Sequence, residues 1–179
     1  MTTEKEFWDT YEKDIVTCDC NKCRSACRRR VCWPLPSEAS TLLDMGYADR
    51  MMLDYWVRDE GDILIVSPAM VGCEAGVASY DPIGACNFYS EERGCELHSI
   101  CKPAGGRIWK ACGLPYDHEA VSRAIAEQWD TDEGRAVVKR WMKLTNNNEE
   151  TIALPEPSFL DILNLMGRFW RWRSERLQV

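Results

Sequence analysis

The sequence predicts a mainly α fold, a small α+β architecture with an irregular cysteine-rich centre, flanking helices and a short β element. Three observations predict it. Apolar residues recur at helical spacing near the start and again through the last third of the chain. Only Ile63-Leu64-Ile65-Val66 has a clear β-type run, bounded by Asp62 and Ser67-Pro68. Nine of the ten cysteines fall into two knots, Cys18 to Cys32 and Cys86 to Cys112, separated by a helix-like middle.

Taken in order, residues 3–16 read as an amphipathic helix, with Phe7, Tyr11 and Ile15 at four-residue spacing and Trp8 beside them. Residues 17–36 read as a loop, because cysteines this closely spaced make no regular apolar face and Pro34 and Pro36 close the segment. Ser37 is an expected N-cap with Glu38 in the first turn; Ala39, Leu42 and Leu43 face inward and Gly46 ends the helix. A second helix is expected over 48–57, with Met51, Met52, Tyr55 and Trp56 inward, broken at Gly61. Residues 67–115 read as irregular.

Asp117 is an expected cap for a helix over 118–129, with Val121, Ala124, Ile125 and Trp129 inward. Asp130 and Glu133 suggest a capping box for the next helix, to about Leu144. A last helix is expected over 158–177, after Pro155 and Pro157. The shift in composition at Pro115 suggests two units: a cysteine-cluster, metal-binding part over 1–115 and a C-terminal helical extension over 116–179.

The net charge of −7 argues against a protein whose whole surface binds nucleic acid. The charged start has no apolar run of a signal peptide, and no stretch is apolar enough to span a bilayer. The expected compartment is therefore cytoplasmic, with no membrane partner. Thiols there stay reduced, so clustered cysteines read first as metal ligands.

Cys20, Cys23 and Cys27 form C-x2-C-x3-C, and a thiolate pair two residues apart can grip one ion from a tight turn. The candidate metal ligands are Cys20, Cys23, Cys27, Cys86, Cys95, Cys101 and Cys112; Cys18, Cys32, Cys73 and His98 stay undecided. Neither knot alone offers a convincing closed site, so the two are expected to meet in space. One ion could take Cys20, Cys23, Cys27 and a later cysteine, or two zinc ions could share six to eight ligands. All-thiolate ligation also suits iron or a 4Fe-4S cluster. The radical-SAM spacing is missing, because Arg30 stands where its third cysteine would be. Arg24, Arg28, Arg29 and Arg30 are expected to offset the thiolate charge. Arg168, Arg171, Arg173 and Arg176 read as a basic solvated helix face.

The second knot carries a resemblance. Cys86, Phe88, Gly94, Cys95, Leu97, His98, Lys102 and Pro103, together with Cys20, Cys23 and Cys27, resemble the YkgJ-type cysteine-cluster family over about residues 18–113. Ala26 replaces one family cysteine, and Gly106 stands near the place of another. The resemblance implies zinc or iron chelation. No glycine-rich phosphate loop, H-E-x-x-H or G-x-S-x-G motif points to a familiar enzyme class. The expected function is a zinc-chelating protein whose mainly structural site serves a protein partner. The alternatives are an iron–sulfur protein with a redox or enzymatic role and a nucleic-acid-binding adaptor.

Overall fold

The computed structural model describes residues 3–11, 20–79, 83–108, 112 and 117–147; Cys18 and the expected helix over 158–177 lie outside them. The fold is small, mainly α, with two small two-stranded sheets. Helix α1 spans Glu4–Thr10 and is fixed at its start by a capping box between Thr3 and Glu6. It follows the expected first helix as far as Thr10 and buries Phe7.

The loop expected over 17–36 contains a helix, α2, over Asn21–Cys27. It buries none of its residues, so no apolar periodicity could announce it. Neighbouring chain holds it instead. Cys86 donates its N–H to the Cys27 carbonyl at 2.8 Å, and Gly84 donates to the Arg29 carbonyl at 2.9 Å. Arg28 forks onto Glu91 with bonds of 2.7 and 2.6 Å.

Helix α3 spans Pro36–Asp44. Its N-cap is Leu35 rather than Ser37, and Pro36 takes the first helical position, where a missing N–H costs nothing. Glu38 reaches back to accept the Leu35 N–H at 2.9 Å and also accepts the Ala104 N–H at 2.9 Å. Its other oxygen pairs with Arg107, whose guanidinium lies over the Trp8 ring. One buried carboxylate thus joins three segments. Gly46, at φ +81°, takes the left-handed turn that ends the helix region.

The helix expected over 48–57 is instead a short 3-10 turn followed by strand β1, Met51–Trp56. β1 pairs antiparallel with β2, Ile63–Pro68, from Met51↔Pro68 to Trp56↔Ile63. The misreading has a physical cause. Met51 to Tyr55 are all buried, so the strand shows no in–out alternation. One set of its residues enters the main core with Ile65, while Met52 packs into a smaller cluster with Ala69, Met70 and Ala78. The following loop closes the hairpin's edge, where Leu53 exchanges hydrogen bonds with Gly76 and Ala78 at 2.9 and 2.8 Å.

The segment read as irregular has local order. Strands β3, Tyr89–Ser90, and β4, Gly94–Cys95, make a short hairpin, followed by a 3-10 turn and helix α4, Ala104–Ile108. Phe88, Leu97, Ala104 and Ile108 enter the main core.

Helices α5, His118–Trp129, and α6, Asp132–Leu144, lie close to their expected places. Asp117 caps α5 by accepting the N–H groups of Glu119 and Ala120. The cap of α6 is Thr131, whose hydroxyl accepts the Gly134 N–H at 3.1 Å; Asp130 pairs with Arg58 and Arg135 instead. A Cβ at Gly134 would lie 2.4 Å from the Trp129 carbonyl oxygen, so the turn between the helices has no room for a side chain. Trp129 donates to the Pro34 carbonyl at 2.8 Å and Trp141 to the Ala48 carbonyl at 3.0 Å. Both indoles enter the same buried cluster as α3 and β2.

Candidate metal centre

Cys20 caps the start of α2 and Cys23 lies one turn further on, so both sulfurs project from the same end of the helix. Cys112 approaches from a segment 89 residues away, with its sulfur 3.4 Å from that of Cys23. The sulfurs of Cys20, Cys23 and Cys112 all lie within 4.8 Å of one another. Four sulfurs around a tetrahedral zinc at about 2.3 Å stand roughly 3.8 Å apart. The triad therefore has the spacing to hold a metal ion, and the two knots meet as expected. The described cysteines are free thiols. A disulfide needs sulfurs at about 2.05 Å, far closer than this pair.

A second group lies at the other end of α2. Cys27 ends that helix, and Cys86 bonds to its carbonyl through the main chain. Cys32 and Cys95 complete the neighbourhood, close enough that a negative charge on Cys27 or Cys95 would hinder ionisation of Cys32 and Cys86. Burial dominates at both: it pushes the Cys32 thiol up to about 12 and raises Cys86 well above the ordinary thiol range. Two features oppose this. Cys86 accepts a hydrogen bond from the Phe88 main-chain N–H, and Cys95 accepts from those of Leu97 and His98. A turn that aims the N–H of the second following residue at a sulfur stabilises the thiolate form, which is the form that binds metal. Lys102 adds a positive charge that favours ionisation of Cys32 and Cys95.

The seven candidate ligands thus divide. Cys20, Cys23 and Cys112 form the tight triad; Cys27, Cys86 and Cys95 join the looser inner group, no three sulfurs of which lie within 4.8 Å of one another. Cys101 is half-buried, and burial alone raises its thiol. Cys73 packs beside the smaller apolar cluster. His98 lends its main-chain N–H to Cys95.

Arg28 pairs with Glu91, and Arg24 donates to the Glu91 carbonyl at 3.4 Å. The cation whose charge acts on the inner thiols Cys32 and Cys95 is Lys102. Sequence reasoning left Cys32 undecided and gave Lys102 no role. The available signal was weak: Cys86-Asn87-Phe88 and Cys95-Glu96-Leu97 repeat a cysteine followed two residues later by a large apolar residue.

Comparison with known proteins gives no match to a family model, to a curated protein or to a solved structure. Fold and site therefore define the molecule by themselves. It is a small α+β protein with a cysteine cluster able to hold a metal. No helix among the described residues is long and apolar enough to cross a membrane.

Proposed function

We propose that the chain is a zinc-chelating protein with two thiolate centres that are mainly structural. The outer centre uses Cys20, Cys23 and Cys112; the inner one would use Cys27, Cys32, Cys86 and Cys95, whose sulfurs stand further apart than those of the triad and would have to close around the ion. The observation that carries the reading is the meeting of sulfurs from residues 89 apart at 3.4 Å, with a third sulfur beside them. Among the described residues, the apolar clusters include neither exposed Cys112 nor exposed Cys20; a shared ion supplies a reason for their meeting. The main-chain N–H groups aimed at Cys86 and Cys95 support the inner centre.

Three thiolates leave a tetrahedral ion one further position. Cys18 stands two residues before Cys20, within about 7 Å of chain reach, and is the proposed fourth donor. The resemblance to the YkgJ-type family supports chelation and does not choose the metal. Zinc bound by four thiolates performs no redox chemistry and serves to fix the chain. Here it would tie α2 to the segment before α5 and to the β3–β4 hairpin, presenting a fixed surface to a protein partner.

The test is elemental analysis of protein purified without oxygen or added metal. The expected result is a colourless protein with about two zinc ions per chain, falling to about one in Cys23→Ser. Brown protein with iron and acid-labile sulfide would replace zinc by an iron–sulfur cluster. Folded protein free of any metal would end the chelation reading.

A further inference from the structure

A cleft of about 760 Å³ opens between α2 and α5, away from the outer sulfurs. Its size is that of a small-molecule site. Trp33, Trp56 and Ile125 give it apolar lining, and Lys22, Arg29 and the buried Asp54 line it as well. Three features set this cleft apart from a chance surface depression.

The first is a buried carboxyl group in its lining. Asp54 is only 5% exposed, and burial raises its carboxyl above the ordinary range. It accepts the Trp33 indole N–H at 2.6 Å through one oxygen and the Tyr55 main-chain N–H at 2.8 Å through the other. A carboxylate offers about four acceptor positions, so two such bonds leave room for a donor arriving from the cleft.

The second is rigidity. The Trp33 and Trp56 rings meet edge to face at 5.9 Å. The Trp33 main chain is pinned by the Gly105 N–H at 3.0 Å, and a Cβ at Gly105 would come within 3.1 Å of the Trp33 carbonyl oxygen. α4 thus lies directly against the indole's backbone. A wall already fixed loses little freedom when a ring stacks on it.

The third is charge. Among the described residues, the side chains of Lys22 and Arg29 form no ion pair with a carboxylate, in contrast to Arg28, which is held by Glu91. The lining carries Lys22, Arg29 and Arg30 against Asp54 and Glu119, the last of these already paired with Arg123; in a chain of net charge −7, this local excess of cations fits an anion that brings its own apolar body.

We propose that this cleft binds a planar aromatic anion. The ring lies against Trp33 and Trp56, a ring N–H is received by Asp54, and the acid group sits between Lys22 and Arg29. An aryl carboxylate and a nucleoside phosphate share this chemistry.

The test is titration calorimetry on the full, metal-replete chain, with metal content and circular dichroism recorded for every variant. The probes are indole-3-acetate, GMP, the uncharged indole-3-acetamide and plain acetate. The expected result is one-to-one binding of indole-3-acetate or GMP; whichever binds more tightly identifies the small acid or the nucleotide as the class. Indole-3-acetamide should bind at least about tenfold more weakly, a loss of about 1.4 kcal/mol, and acetate should give no heat. Arg29→Glu should weaken the anion by a similar factor, and Ser122→Trp, on the α5 wall, should fill the cleft and abolish binding. Equal affinity for charged and uncharged rings, binding untouched by both folded variants, or no binding of either ring anion would overturn the proposal. Should one variant fail to fold, the probe series and the other variant still decide.

Discussion

Cys20, Cys23 and Cys112 hold their sulfurs at the solvent edge of α2, whereas Cys86 is 7% exposed and its neighbours Cys27, Cys32 and Cys95 are half-buried. Among the described residues, no apolar cluster includes the outer group; the inner group borders the core through Phe88 and Leu97. Main-chain bonds bring Cys86 to Cys27, yet among the described residues only sulfur contact joins Cys112 to Cys23. An ion at the outer centre would create a contact that packing does not make. An ion at the inner centre would reinforce one that already exists. The outer metal should therefore exchange readily and the inner one slowly.

The largest effect is expected at the inner group. Structural zinc contributes about 10–16 kcal/mol in small peptides at neutral pH, as much as the whole stability of many domains. Cys86→Ser should therefore lose cooperative folding of residues 67–108 while helical signal from α5 and α6 persists. Hydrogen exchange reads this directly, and unchanged protection across 67–108 in the metal-free variant would show that packing alone holds the segment. Cys23→Ser should be milder, with one metal equivalent lost and exchange faster only around α2. Global unfolding of Cys23→Ser would invert the comparison.

Glu38→Ala tests the packing beside the inner group without touching sulfur. It strips two main-chain N–H groups and Arg107 of a shared acceptor, a cost of about 3 kcal/mol by denaturant unfolding. Metal content should stay unchanged. The smallest effect concerns Asp54. Burial raises its pKa above 3.8, so the folded state holds that proton more tightly than the unfolded chain. Its stability contribution is greatest below about pH 4 and is lost as pH rises through the folded-state value. Asp54→Asn should flatten that part of the stability–pH profile, with a change of about 1 kcal/mol or less at neutral pH. An identical slope in the variant would place the titration elsewhere.

What the sequence made legible follows from where periodicity survives. α5 and α6 have one buried and one wet face, so their spacing, and the Asp117 cap, could be read directly. β1 lies buried on both faces and lost its alternation, so Met51-Met52 and Tyr55-Trp56 imitated a helix. α2 has no buried face and left no pattern at all. At the site, cysteine spacing marked Cys20 and Cys23, and the expectation that the knots converge held at Cys112. The division into an outer and an inner group was not legible, because it depends on which end of α2 each later segment approaches. Cys32 and Lys102 become neighbours only through α4, whose Gly106 lies against both.

The span of 89 residues between Cys23 and Cys112 also sets an order of events during synthesis. At about 5–20 residues per second, roughly 4–18 seconds separate the emergence of these two thiols. Throughout that interval Cys20 and Cys23 lack a ligand that has not yet been made. The pair is then most open to oxidation or to capture of a competing ion. Cys95 arrives before Cys112, so the nascent chain can complete its inner ring of sulfur first and close the outer one last.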